Sequence, residues 1–581
     1  MSSISAENAS PNPHLPHFEQ GKQHRRQGNS AEAMICFREA IRHKADYIPA
    51  YNNLGNLLQA DGETEQALTV YQEAIGLAPH VPVLHCNLAS LRQTQGDFEA
   101  AIAGFRHALA LKPDFYLAHF NLGKLLAQQE DYPQAIAHYR AALRVQPRSA
   151  EVYLEYGAAL SKTNRHPQAL KCFERAIDIE PGGIQAYLYA GAALIESKQY
   201  HLALLCCDRA LAQNAQNEIA LYNKALALSR LQRLQDAIAE NEKAIALKPD
   251  YADAHWNASL CHLMLGDYAK GWPEYEWRWR RTGAKPENLR QFDQPLWLGN
   301  EPLQGKTILL HAEQGIGDTL QFCRYVEKVS ALGGRVVLEV YPGLKPLLQH
   351  LPVAQLSERG ESLPDFDYHC PLLSLPLAFN TNRDSDIASA NPYLYSDPDK
   401  AAHWRQTLGE KTQARIGLVW SGNPGHQTDH ERSIPLVKWA TLLAAPVHFI
   451  SLQKELRDKD AQTLLQRHGI RHYGEQLHDF SDTAALIAQL DLVIAVDTAV
   501  AHLAAAMGKP VWLLLHYNPD WRWQLQRSDS PWYPSVRLFR QTLRDDWQGV
   551  MASVAQALAG YLSGSDPIMP PAAPPIPSEN D

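Results

Sequence analysis

Several features are scarce in this chain, and each scarcity narrows what it can do. Basic residues do not predominate: 54 Lys and Arg face 63 Asp and Glu, a formal net charge of −9. That balance argues against a broad nucleic-acid surface. No uninterrupted apolar run reaches membrane length. The most hydrophobic stretch, Asp491 to Leu515, is interrupted by Asp497, His502 and Lys509. The beginning of the sequence shows no charged-then-apolar leader pattern. The eight cysteines form no C-x-x-C pair and no metal-ligand spacing, so neither a zinc site nor a disulfide framework is expected. No metal ligands are assigned. A cytoplasmic, reducing location is the expectation. What is present is length: 581 residues exceed one ordinary domain and call for about three units.

Self-similarity with a period of 34 residues runs from about His14 to Lys285. Ala40, Ala74, Ala108, Ala142, Ala176, Ala210 and Ala244 follow it, as do Ala33, Ala67, Ala101, Ala135, Ala169, Ala203 and Ala237. Small residues recur at Gly21, Gly55, Ala89, Gly123, Gly157, Gly191 and Ala225, and aromatics at Phe37, Tyr71, Phe105, Tyr139 and Phe173. Pro79, Pro113, Pro147, Pro181 and Pro249 close their repeats. Cys36, Cys172 and Cys206 share one repeat position and read as small core residues. The pattern resembles the tetratricopeptide repeat, a helix-turn-helix unit. Small residues let paired helices approach, aromatics fill the gap, and proline ends the second helix. Seven repeats are clear. An eighth, from near Ala252, is degenerate: Gly271 replaces alanine, and Trp272, Tyr275, Trp277 and Trp279 crowd its second helix, apt to dock the following domain.

One first-helix position carries Asn53, Asn87, Asn121, Asn223 and Asn257. In the repeat family it faces the concave groove, where an amide can pair with the backbone of an extended peptide. The alternative is hydrogen bonding between neighbouring repeats. Glu155 and Tyr189 interrupt the series.

After a Pro-, Gln- and Asn-rich stretch the pattern changes to alternating strands and helices, which implies parallel sheet covered on both faces. Lys306–Gln314 reads as a strand, Gly315–Asp318 as a tight glycine turn opening a helix, and Arg335–Tyr341 as a strand before a helix over Gly343–Leu351. Leu356 to Asn391 is less regular. A second unit begins with Arg415–Trp420 and continues through Val447–Gln453. Its helix after Asp479 is expected to take Ser481 or Asp482 as N-cap. The Asp491–Leu515 segment then reads strand, turn, helix, strand. A last helix, Trp547 to Leu562, is a candidate to cross back to the first unit. The tail after Gly564 is rich in Pro, Ser and Ala.

The turn Asp497-Thr498-Ala499 opens a helix whose N-terminus favours phosphate. Thr498 offers a hydroxyl, and His502 follows one turn later. The plain alternative is a capped helix with an internal histidine. Gly-Asp at the first strand-helix turn, with D-T-A-x-x-H-L-A near the end, is similar to the lipopolysaccharide heptosyltransferases, over roughly Lys306 to Gln541. Repeats joined to such a region resemble the O-linked N-acetylglucosamine transferases.

These resemblances imply an α-helical tetratricopeptide-repeat superhelix followed by an α/β GT-B region of two Rossmann-like domains. They imply a metal-independent glycosyltransferase that uses a nucleotide-diphosphate sugar as donor substrate and no other cofactor. Asp318 maps to the general base; its alternative is helix capping. Gly315, Gly317, Ser421, Asn423, Arg432, Asp497, Thr498, Ala499 and His502 map to the donor site, with arginine at 432 where the family has lysine. Lys454 is a weaker phosphate candidate. Tyr517–Trp523 offers stacking surfaces for a base or sugar, or is a packed loop. The repeats would recruit a protein or peptide acceptor. Alternatives are a transferase for a cell-surface polysaccharide or lipid-linked glycan, and a non-catalytic scaffold that senses a nucleotide sugar.

The expected organisation is a disordered N-terminus (1–13), repeats (14–285), a linker (286–302), an N-terminal Rossmann-like half (303–405), a C-terminal donor-binding half (411–562) and a disordered tail (563–581).

Overall fold

A computed structural model describes residues 12–281, 290–387, 392–426, 428–457 and 459–569. Much of the expected disordered ends, and the start of the expected linker, lie outside these residues. The chain divides into two compact units, one ending at Ala227 and the other beginning at Leu228.

Among the described residues, sixteen helices form eight helix pairs, from His14–Arg26 and Ser30–His43 to Ala252–Leu265 and Tyr268–Tyr275. The small-residue and aromatic positions act as expected. A Cβ added at Gly21, Gly55, Gly123 or Gly157 would lie 2.7, 2.5, 2.8 or 2.4 Å from the ring of Phe37, Tyr71, Tyr139 or Phe173. At Gly191 the partner is Cys207, and the same added atom would meet its sulfur at an ordinary 3.5 Å. The turn within each pair holds a left-handed residue, always at the same repeat position. Gly28, Gly62, Gly96 and Gly266 take it without a Cβ penalty, whereas Glu130, Asn164, Lys198 and Gln232 adopt it despite one. All eight cysteines are unpaired, and burial pushes the Cys86 and Cys207 thiols up to about 12.

The second unit contains the helix Leu234–Leu247, the last helix pair and two parallel sheets. The first sheet comprises β1 (Thr307–His311), β2 (Arg335–Val340), β3 (Gln355–Glu358) and β4 (Tyr368–Pro371), in the order β3-β2-β1-β4. The second comprises β5 (Arg415–Val419), β6 (His448–Ser451), β7 (Arg471–His472), β8 (Leu492–Val496), β9 (Val511–Leu515) and β10 (Val536–Arg540), in the order β10-β9-β8-β5-β6-β7. Counted from β5, this is the doubly wound 3-2-1-4-5-6 arrangement. Its direction reverses between β5 and β8; that of the first sheet reverses between β1 and β4. Ligands of such sheets bind beyond the carboxyl ends of the strands at these reversals. Alternate β8 residues enter two different cores, Val493 and Ala495 one, Leu492, Ile494 and Val496 the other, because both faces are covered.

Several local expectations are corrected. β3 and β4 occupy the stretch read as irregular, and β7 and β10 were not anticipated. Asp479, not Ser481 or Asp482, is the N-cap of the Phe480–Ala488 helix; its side chain accepts from Ser481 and Asp482 N–H groups, and Asp482 completes the capping box. The Trp547–Ser563 helix does not cross back: Trp547, Val550, Met551, Val554 and Leu558 pack into the core containing Trp439 and Trp512 of the second sheet region. The described part of the expected linker is seated on the first sheet, where Leu296 bridges His369 and Trp297 is buried. The described start of the tail is also held, since the Trp512 indole donates to the Ile568 carbonyl at 2.8 Å.

The aromatic residues of the eighth repeat dock as expected. Trp272 is 1% exposed, donates its indole N–H to the Thr381 carbonyl at 3.0 Å, and meets Phe322, Trp521 and Trp532 edge-on. Trp277 instead stacks on His255 within the repeat, 3.9 Å between centroids.

Candidate active site

The carboxyl end of β1 leads into Glu313-Gln314-Gly315 and the helix Ile316–Phe322. The left-handed residue of this turn is Gln314, not a glycine. Gly315 is extended, and its N–H donates to Asp318 Oδ2 at 2.7 Å. Asp318 therefore caps its helix, the plain alternative from sequence. Its other oxygen, Oδ1, accepts from Arg522 Nη2. The side chain nevertheless keeps 17% of its surface exposed. Burial raises the Asp318 pKa above the ordinary carboxylate value, against the opposing pull of the Arg522 charge. Gly317 has a steric reason to lack a side chain: a Cβ there would sit 2.9 Å from His502 Cδ2 and 3.7 Å from Ala499 Cα. Gly317 thus lets the Asp318 turn lie against the start of the Ala499–Ala506 helix.

That second helix follows β8. Thr498 is its N-cap, yet its side chain makes no capping bond. The hydroxyl is buried, the residue being 9% exposed, and has no hydrogen-bond partner among the described residues. A buried polar group without a partner is uncommon and costly. Here it sits at a helix N-terminus, whose first-turn N–H groups have no intrahelical acceptor. Ala499 opens that first turn.

Asp497 anchors the turn from below. Its Oδ2 accepts from the Trp523 indole at 2.9 Å, and its carbonyl accepts from Arg432 Nη1 at 2.9 Å. Burial opposes its ionisation, but His502, Trp523 and Arg432 outweigh burial and hold the carboxyl well below the usual range. His502 is buried: Nδ1 pairs with the Tyr533 hydroxyl at 2.9 Å, Nε2 lies 3.6 Å from Asp497 Oδ1, and the ring stacks on Trp523. The structure gives this ring protein neighbours on both edges, as the internal-histidine alternative has it.

Arg432 ends the short helix Asp429–Arg432 and bonds Asp429 through Nε at 3.2 Å. Gly422 lies directly over it, since a Cβ there would meet Arg432 Nη2 at 2.5 Å. The loop after β5 and the turn after β8 therefore converge on one guanidinium. Ser421 is tied to Gln453, whose amide oxygen accepts from the Trp420 and Ser421 N–H groups and whose nitrogen donates to Ser421 Oγ at 3.0 Å. Asn423 turns to its own loop, accepting from Gly425 N–H. Lys454 donates to the His478 carbonyl, a structural use.

The 517–523 loop is packed, with Trp521 and Trp523 buried. It also supplies Arg522, which sequence reading did not single out and which links Asp318 to this loop. The nearby Asp520 signalled a local counter-ion for it; nothing in the sequence signalled Asp318.

The asparagine series is spent largely between repeats. Asn87 donates to Asn52 at 2.8 Å, Asn121 to Ser90 at 3.4 Å, and Asn257 to Asn241 at 3.4 Å. Asn53 donates to the Pro49 carbonyl and accepts from Arg25; Asn223 is buried.

Comparison with known proteins finds matches in the repeats and in part of the α/β region. Residues 86–151, 124–184, 188–252 and 222–276, and also 48–81, match tetratricopeptide repeat families. Residues 478–546, which include Asp497, Thr498, His502 and Arg522, match glycosyltransferase family 9 (heptosyltransferase). The chain is similar to Protein FlbA of Caulobacter vibrioides, 27% identical over 372 residues, covering 59% of this chain and 62% of that protein. It is also similar to the Hsp70-Hsp90 organizing protein of Triticum aestivum, 38% identical over 60 residues, 10% of each. The chain thus spans less than two thirds of either curated relative. Among solved structures it resembles YrrB, a TPR protein with an unusual peptide-binding site, at 23% identity and TM-score 0.30, covering 32% of this chain and 95% of that one. The chain carries tetratricopeptide repeats followed by a glycosyltransferase family 9 (heptosyltransferase) domain.

Proposed function

We propose that the α/β region is a GT-B glycosyltransferase that moves a sugar from a nucleotide-diphosphate donor to an acceptor hydroxyl. The observation that carries this reading is the buried Thr498 hydroxyl, without a partner among the described residues, at a helix N-terminus and a strand-order reversal, with Arg432 bonded to the preceding carbonyl of Asp497. In the proposed reaction the acceptor oxygen attacks the anomeric carbon while its proton passes to Asp318. The bond to the diphosphate breaks, and negative charge grows on the leaving group. The Thr498 hydroxyl, the first-turn N–H groups from Ala499 onward and the Arg432 guanidinium stabilise that charge, so no metal ion is called for. His502 and Asp497 hold the turn in place. Gly317 allows the close approach of base and donor turn, and the Gly315 N–H holds the base. Ser421 and Asn423 shape the donor side of the loop after β5.

The repeats recruit the acceptor, a protein or peptide, from a cytoplasmic location to which the unpaired cysteines are suited. Because the asparagine amides are mostly engaged, recognition rests on other groove residues as well. A thermal-shift screen against uridine, guanosine, adenosine and cytidine diphosphate sugars tests the donor site, since a ligand of the folded state raises Tm. Asp318→Asn is expected to abolish transfer while the donor-induced shift survives. Unchanged transfer removes Asp318 from the chemistry; labelling of glycans but not proteins replaces the acceptor class; donor binding without transfer or hydrolysis by the unmodified protein favours a sensing scaffold.

A further inference from the structure

Arg522 is 5% exposed and sits between Phe322 and Trp521, its guanidinium 4.5 Å from the Trp521 ring centroid. Its N–H groups go to three acceptors. Nε donates to Gln321 Oε1 at 2.5 Å, Nη2 to Asp318 Oδ1, and Nη1 to Asp520 Oδ1 at 2.8 Å. Nε and Nη2 share one edge of the planar guanidinium, and Asp318 and Gln321 lie one turn apart on one helix face. The arginine therefore forks across that face. Gln321 is fully buried, and its Nε2 has no partner among the described residues. An arginine can only donate, so the amide must present its oxygen here and leave its nitrogen unsatisfied. The packing gives up a hydrogen bond to hold this guanidinium in place.

We propose that Arg522 is a positioning residue: it holds the Asp318 carboxylate as an anion in fixed orientation, with its remaining lone pairs at the exposed edge for an acceptor proton. This rests on the reading of Asp318 as the base. A carboxylate has about four acceptor sites, and the protein fills one on each oxygen. Burial works against ionisation of Asp318, and Arg522 is the foremost charge working for it. The adjacent Trp523 bonds Asp497 and stacks on His502. One turn of chain thereby fixes the base and the diphosphate-binding turn together.

The test uses the full chain. Arg522→Met is compared with the Arg522→Met/Asp318→Asn double variant by thermal melting from pH 4 to 8. The Asp318 pKa is already raised by burial, and loss of Arg522 raises it further. A raised folded pKa makes the ionised group a cost that grows with pH above the unfolded value. The Tm deficit of Arg522→Met relative to the double variant is therefore expected to widen as pH rises; a pH-independent deficit overturns the proposal. With whichever diphosphate sugar of the panel is turned over, the acid limb of kcat/KM is expected to move up by about one pH unit or more. Should Arg522→Met not fold, Arg522→Lys keeps the charge without the fork and is expected to shift the limb less while lowering kcat. If Asp318→Asn is inactive and the limb does not move, the positioning role fails alone. If Asp318→Asn is fully active, the base reading fails and takes the positioning role with it.

Discussion

Thr498→Val separates stability from function at a single atom. The substitution replaces the buried hydroxyl with a methyl of nearly the same shape. In the free protein that hydroxyl has no partner among the described residues, so its removal forfeits no bond and relieves a desolvation cost of about 1–3 kcal/mol. The variant should melt at or above the temperature of the unmodified protein. The donor should behave in the opposite way. A hydrogen bond to a charged group contributes about 1.5–3 kcal/mol, which corresponds to about 10–150-fold in Kd. At a donor concentration 100 times Kd the unmodified protein gains about 2.7 kcal/mol from binding. The same concentration should give Thr498→Val only about 0.3–1.4 kcal/mol. Thermal melting with and without the diphosphate sugar reads both effects, and Thr498→Ser, which keeps the hydroxyl, should track the unmodified protein. A free variant that melts several degrees lower shows that the hydroxyl is structural. An undiminished donor shift shows that it does not face the phosphates. Either result refutes the reasoning.

Two further outcomes are expected. Asp497 has a depressed folded pKa, so its stabilising ionisation is present above about pH 4 and is lost as pH falls further; the Tm gap between the unmodified protein and Asp497→Asn should close below that pH in a melting series. Trp272→Ala removes a fully buried indole, its bond to Thr381 and its edge-on contacts to Trp521 and Trp532, and should cost about 3–5 kcal/mol in urea unfolding of the Leu228–Asp581 unit.

The fold class was legible because helical repeats leave a strict imprint. A position that touches its neighbour in one repeat does so in all, so Gly21 and Phe37 announce Gly55 and Tyr71. β10, five residues long, escaped notice although β8 of equal length did not; the other strands missed are short: β7 has two residues, and β3 and β4 have four each. Runs of that length carry too little periodicity to distinguish from loop. The asparagine series shows a different limit. Its period places the amides in register but does not say whether they point to a ligand or to each other. Asn87 and Asn52 meet because adjacent repeats bring residues about one period apart side by side.

The site divides along the same line. Asp318, Thr498 and His502 could be singled out because each stands at a strand-helix turn or one helical turn beyond it, a local feature. Their partners could not, because those bonds cross 26 to 204 residues of sequence: Trp523 to Asp497, Tyr533 to His502, Arg522 to Asp318. Trp-Arg-Trp reads as packing, since its aromatic area dominates any local view. Two of its polar ends nevertheless have a use that burial makes compulsory. A buried indole N–H needs an acceptor, and that of Trp523 finds Asp497. A buried guanidinium needs a counter-charge, and that of Arg522 finds Asp318 and Asp520. The same packing that hides Arg522 and Trp523 from solvent thereby aims their polar atoms at Asp318 and Asp497.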